Sequence, residues 1–480
     1  MCQNTISNTT SKDSQAFLDP EKKSNRINVD EENPEQRVSW ANGAIEDVPV
    51  TETAFGNPET AEVKFITMHW WQVGVHMIAE TISLGVLSLP HVLKTLGLFW
   101  GLFCILSFGM LATYNGYVYG QFFRANKAIA SVADAANVVG GRYAKEFVGA
   151  CSTIVLIFIM AAHISTFSMA MNVLTDHGTC TTVFAIVGVI LSILCTIPRK
   201  LSNMAWFSVA SCISIGAAVF ITMIGIAVSD KPADLHIEVF ATPGFLDAMT
   251  AILNLILAYA GHVAYFSFIA ELKRPEDFTK SLVMTQSFTT FFYIMTSVVI
   301  YCFAGDHVMA PALGSAPPLI EKIAYGVAMP TIIIAGVING HVAVKYVWLR
   351  IWEHNRNEVT KNSFKAIGSW IGIVVLIWIA AWLIAEGIPS FQLLLALVSA
   401  LFMGWFSYGF SGIFWWNINW SSWRSSKRKI CLAVLNSTII VIGALICIIG
   451  LYATAKNLAN GAGGSSFSCG DNSTPDAQGH

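Results

Sequence analysis

His76-Met77-Ile78-Ala79-Glu80-Thr81-Ile82-Ser83-Leu84-Gly85-Val86-Leu87-Ser88-Leu89-Pro90 is an apolar stretch with a carboxylate, three hydroxyls, a glycine and a proline set into it. The β-branched, Ser and Gly positions weaken a helix locally. Pro90 withholds the hydrogen bond that the Val86 carbonyl would accept. The run lies inside an apolar segment, Trp70–Leu93, of the length that crosses a bilayer. Peptide groups freed within lipid have no water to turn to, so they must line a cavity enclosed by protein. The coincidence of breakers and polar residues at one depth therefore points to a place where a polar solute is handled.

The composition agrees with a membrane location. Of 480 residues, 54% are hydrophobic and 12% charged, and the mean hydropathy is +0.58. A soluble chain carries about twice that charged fraction. A net charge of −2 offers no basic footprint for a phosphate backbone, so nucleic acid is excluded as a partner. There is no HExxH, Walker A or GxGxxG-after-strand pattern, and the ten cysteines are scattered singly. Neither an enzyme, a metal centre nor a cofactor is expected. Residues 1–64 hold twelve acids and six bases with little apolar periodicity, which reads as a disordered acidic tail.

From residue 65 to 455 the expectation is an all-α polytopic domain of about eleven spans: Trp70–Leu93, Leu98–Phe122, Phe147–Leu174, Thr181–Ile197, Met204–Val228, Met249–Ala270, Phe278–Phe303, Ile323–Leu349, Ile367–Ile384, Phe391–Phe414 and Ile430–Leu451. Residues 456–480 follow as a short polar tail. Loop cations test the arrangement. One face collects Arg124, Lys127, Arg142, Arg199, Lys273, Arg274, Arg350, Arg424 and Lys427 among others, the opposite face only Lys94, Lys231, Lys322 and Lys456. The N-terminus is thus expected in the cytoplasm and the C-terminus outside. Cys180 and Cys302 then share the outer side, which leaves a disulfide between them open, and Asn472 is an accessible glycosylation candidate. Lys345 is expected to snorkel to the inner interface.

The sixth span repeats the motif of the first. Leu257-Ala258-Tyr259-Ala260-Gly261-His262-Val263-Ala264-Tyr265 interrupts an apolar helix with small residues and a histidine at mid-depth. If spans one to five and six to ten are two repeats, the interruptions correspond. That is where secondary transporters hold their substrate.

These residues resemble the amino acid/auxin permease family. Ser83-Leu84-Gly85-Val86-Leu87-Ser88-Leu89-Pro90 is similar to its first-helix signature, with Ser83 where most members have glycine. Gly97-Leu98-Phe99-Trp100-Gly101, Gly261-His262 and Glu271-Leu272-Lys273-Arg274-Pro275-Glu276-Asp277-Phe278 match further segments, over about residues 65–452. The nearest likeness is to filamentous-fungal neutral amino acid permeases. The resemblance implies a 5+5 inverted repeat with helices one and six broken, plus one extra helix.

The expected site follows. Amides around Thr81, Ile82, Ser83, Leu84 and Gly85 would meet a substrate carboxylate at a positive helix end. Carbonyls of Ala258, Tyr259, Ala260 and Gly261 would meet its ammonium. Glu80, with His262 second, is the candidate for carrying a coupled proton, because a charge at the bilayer centre is costly and a buried carboxyl favours its protonated form. The implied activity is import of neutral amino acids, aliphatic and aromatic, driven by protons across the plasma membrane. Open alternatives are sodium coupling, a vacuolar membrane, and an amino acid receptor that does not transport.

Overall fold

The computed structural model describes residues 65–200, 205–229, 235–359, 361–388, 390–460 and 466–473. The acidic segment 1–64 lies outside them. The described chain is helical, with α1 (Trp70–Leu96), α2 (Leu98–Ala125), α3 (Val132–Thr175), α4 (Thr181–Thr196), α5 (Ala205–Val228), α6 (Phe245–Ala258) and α7 (His262–Ala270). Then come α8 (Phe278–Ala304), α9 (Pro318–Ile351), α10 (Phe364–Gly387), α11 (Phe391–Val398), a π-helical stretch Ser399–Gly409, α12 (Phe410–Asn419) and α13 (Lys427–Ala459). Each of the eleven expected spans has its counterpart. α6 with α7 makes the sixth, and α11 through α12 the tenth. Among the described residues, nine stretches and the bent α1 reach membrane-crossing length; α4, at 16 residues, is shorter.

Two differences from the expected spans have local causes. α3 begins at Val132 rather than near Phe147, with Ser131 capping its start by accepting from the Asp134 amide. Gly141, at φ 73°, turns the chain between this opening segment and the span proper, a conformation that costs glycine little. α1 does not unwind. Its helical pattern persists through Ser83 and Leu84, and the weakening appears as a 47° bend between Trp70–Ile82 and Gly85–Leu96.

The broken sixth span is held in place by aromatic packing. Tyr119 and Phe122 of α2, Phe266 of α7 and Phe414 of α12 form a buried stack with centroids 4.4–6.2 Å apart. Buried aromatic pairs of this kind stabilise by about 0.5–1.5 kcal/mol beyond area burial. They fix α7 against α2, while α6 packs against α1.

At the opposite end the C-terminal segment folds back. Cys469 forms a disulfide with Cys180, with the Cα atoms 4.4 Å apart, and Cys302 is a free thiol. The question left open by the sequence is thereby answered against a Cys180–Cys302 pairing. The cause is a run of tertiary contacts that carries Cys469 across the ends of α3, α4 and α10. The Phe467 amide donates to the Glu386 carbonyl (3.0 Å), and Thr181 Oγ1 donates to the Gly470 carbonyl (2.6 Å). The Asn472 amide is spoken for as well. Its Oδ1 accepts from Asn172 (2.8 Å) and its Nδ2 donates to Ser168 (3.4 Å), both on α3. An amide seated between buried side chains is not the accessible glycosylation candidate expected from the sequence.

Candidate functional site

The interruption in the sixth span falls on Tyr259-Ala260-Gly261. α6 closes with tightened turns, the Tyr259 amide donating to the Ile256 carbonyl (3.3 Å) and the Ala260 amide to the Leu257 carbonyl (3.0 Å). α7 opens at His262. The Ala258 carbonyl has left the helical ladder and accepts instead from the Tyr293 hydroxyl of α8 at 2.8 Å. The same hydroxyl lies 2.8 Å from the Thr81 carbonyl of α1. A phenol has one proton, so it satisfies one of these carbonyls at a time. Three oxygens thus converge with a single proton among them, where the two interrupted spans cross.

Two glycines allow that approach. A Cβ on Gly85 would stand 2.5 Å from the Tyr293 hydroxyl and 3.0 Å from the Ala258 Cα. A Cβ on Gly261 would stand 2.7 Å from Glu80 Oε2 and 3.2 Å from Thr81 Oγ1. The Glu80 carboxylate therefore lies directly against the break. It is half-buried, and Thr81 Oγ1 reaches its Oε2 at 3.4 Å. His76, one turn earlier on α1, engages Ser208 of α5 at 2.5 Å. The structure thus brings together Glu80, Thr81, Gly85, Ala258 and Gly261 from the expected set. The backbone of Ile82, Ser83 and Leu84 follows along the bend of α1.

The histidines are placed differently. Nε2 of His262 is 3.0 Å from the Ala112 carbonyl of α2, which only accepts, so this nitrogen carries the proton. Its ring packs on Tyr119 and Tyr265, with centroids 5.7 and 4.7 Å away. That geometry braces α7 against α2. His163 and His341 likewise sit on the carbonyls of Ile332 and Pro198, each at 2.9 Å.

Two features escaped the sequence reading. Tyr293 is one of many aromatic residues in apolar helices, and nothing local marks it. Lys345 does not snorkel: it is 5% exposed and pairs with Glu271, 1% exposed, just beyond α7. Its ammonium also lies 4.7 Å from the Phe65 ring centroid. A lysine inside an apolar span is itself a signal that a partner exists. The adjoining backbone is tied too. The Met68 amide donates to the Glu271 carbonyl (3.0 Å) and the Lys273 amide to the Met68 carbonyl (2.9 Å). The approach to α1 is thereby fastened to the end of α7. Among the described residues, no three His, Cys, Asp or Glu side chains are grouped to hold a metal.

Residues 67–456 match the family model described as transmembrane amino acid transporter protein. The chain is 35% identical over 416 residues to the N amino acid transport system protein of Neurospora crassa, covering 84% of this chain and 87% of that protein. Among solved structures, a Na+-coupled sialic acid symporter in a substrate-bound outward-open state aligns with a TM-score of 0.53 at 13% identity, over 82% of this chain and 90% of that one. MhsT in complex with L-phenylalanine aligns with a TM-score of 0.52 at 13% identity, over 83% and 99%. At such identity these two structures speak for the fold alone, a two-repeat bundle that in this chain has its sixth span broken, its first span bent, and α13 added.

Proposed function

From the premise that this chain belongs to the transmembrane amino acid transporter family, we propose that it imports neutral amino acids, aliphatic and aromatic, with protons as the driving ion. One observation carries the reading: the carbonyls of Thr81 and Ala258 converge at the crossing of the two interrupted spans, with Glu80 beside them. A substrate ammonium supplies the donors that one phenolic proton cannot. The substrate carboxylate is placed at the 47° bend of α1, near Ser83–Gly85, where local opening of the helix would free amides to meet it. No second charged group stands in either break to select a charged side chain, which supports neutral substrates. Glu80 takes up a proton when the site faces outward and releases it inward. A membrane potential of 100 mV adds about 2.3 kcal/mol per charge moved.

We place the N-terminus in the cytoplasm, the C-terminus outside, and the chain in the plasma membrane. The loop cations support that orientation. So does the Cys180–Cys469 bond, because disulfides persist in oxidising compartments. The sodium alternative has the same carbonyls in its favour.

The test is electrogenic uptake of an amino acid panel in proteoliposomes, across pH, with sodium or choline outside. Uptake of neutral amino acids that rises with the inward proton gradient and ignores choline replacement supports the proposal. Uptake that needs sodium and is indifferent to the proton gradient overturns the coupling. Substrate binding without uptake turns the protein into a receptor.

A further inference from the structure

α12, the turn after it and the lipid-facing side of α13 enclose a groove of about 470 Å³, lined by Trp416, Trp423, Ile430, Val434, Ser437 and Val441 among others. Two of its polar side chains are engaged within the chain. Trp416 Nε1 donates to Ser437 Oγ (3.2 Å), and Thr438 Oγ1 donates to the Val434 carbonyl (3.0 Å). The lining is therefore suited to hydrocarbon. From Ile430 to Val441 the helix rises about 17 Å, close to half of the ~30 Å hydrocarbon thickness of a bilayer. The groove has the length of one leaflet.

Its mouth is strongly cationic. Arg424, Lys427, Arg428 and Lys429 stand within six residues, and no Asp or Glu occurs anywhere between Glu386 and Asp471. Elsewhere on this face several cations are neutralised by carboxylates. Lys145 pairs with Glu353, Lys280 with Asp277, Arg350 with Glu146, and Lys361 with Glu358. Among the described residues no ion pair is formed by the four at the groove. Arg424 instead lies 4.4 Å from the Trp423 ring centroid, and Lys429 Nζ donates to Ser422 Oγ (2.6 Å). Lys427, Arg428 and Lys429 also form the first turn of α13, whose N-cap is Ser426. Cations at a helix N-terminus oppose the helix dipole. An anion there offsets both the dipole and the clustered charge.

We infer that this groove is a binding site for an anionic phospholipid, whose phosphate sits on the Arg424–Lys429 cations and whose acyl chain runs along α13 to Val441. The inference goes beyond the transport reading and needs only the membrane assignment. A basic cluster beside a span attracts anionic lipid; the adjoining leaflet-long groove adds a seat for the chain. Exposed Trp420, at 73%, adds to Trp416 and Trp423 an aromatic belt at the level where Trp anchors to the interface.

The experiment uses the purified full chain in nanodiscs of phosphatidylcholine with increasing phosphatidylserine, binding being read by displacement of a spin-labelled phosphatidylserine. The wild type is expected to hold the anionic lipid well above its bulk fraction. Combined Arg424→Gln, Lys427→Gln, Arg428→Gln and Lys429→Gln is expected to weaken it by about fivefold per neutralised cation. Val434→Trp, which fills the groove and leaves every cation in place, is expected to weaken it as well. Three results overturn the inference: equal retention of phosphatidylcholine, no effect of Val434→Trp, or displacement by soluble glycerophosphoserine as effective as by the lipid. A wild type that forms a dimer across this face and holds no labelled lipid also overturns it. None of these readouts depends on transport, so failure here and failure of the transport reading are separable.

Discussion

Tyr293→Phe removes one oxygen atom and keeps the ring, including its edge contact with Tyr259 at 5.3 Å between centroids. What disappears is the donor shared by the Thr81 and Ala258 carbonyls. One proton is lost, so one buried acceptor goes unsatisfied, at a cost of about 1–3 kcal/mol. That cost falls on the empty protein. If a substrate ammonium donates to the same carbonyls, the bound form does not bear it. The difference appears as tighter binding, about 5- to 150-fold in Kd at 1.4 kcal/mol per factor of ten. Thermal stability of the empty protein is expected to fall, the stabilisation by substrate to grow, and turnover to drop because release is slower. The assay is equilibrium binding of labelled leucine or phenylalanine to purified protein, with melting followed in parallel. An unchanged Kd together with a lowered melting temperature would show that the hydroxyl supports the fold while the ammonium goes elsewhere. Weaker binding would refute the reasoning outright.

Other outcomes follow from the same contacts. Glu80→Gln is expected to abolish the pH dependence of uptake while surface expression stays normal; unchanged proton flux in this variant removes Glu80 from coupling. Gly261→Ala pushes a methyl to within 2.7 Å of Glu80 Oε2 and is expected to cut uptake strongly, measured as initial rate per molecule at the surface. Lys345→Met leaves the Glu271 carboxylate buried without its partner and is expected to cost about 3–5 kcal/mol, whereas adding Glu271→Gln restores much of it; melting in detergent separates the two. Cys469→Ser is expected to cost about 2–4 kcal/mol and to make stability insensitive to reductant. Peptide mapping without reduction should recover Cys180 joined to Cys469, and recovery joined to Cys302 would contradict the fold of the tail.

The two interruptions were legible because their causes are local. Gly85, Ser83 and Pro90 weaken hydrogen bonding within a few residues of themselves, and Ala260-Gly261 does the same in the sixth span. The form of the first was not legible: whether a weakened helix unwinds or bends depends on what packs against it, and here α6 and α8 hold α1 to a bend. Glu80 stood out because a carboxylate in an apolar run is costly wherever it points. His262 stood out for the same reason, yet its orientation toward Ala112 is set by α2.

Apolar runs, breakers and charge bias act through the solvent and the near chain, so membrane residence, the approximate number of spans and the position of the sixth-span break were contained in the linear order of residues. Tyr293 meets Thr81 across 212 residues, Glu271 meets Lys345 across 74, and Cys180 meets Cys469 across 289. No local propensity encodes such encounters. They arise when helices pack and each buried polar group settles on whichever partner the bundle brings within reach.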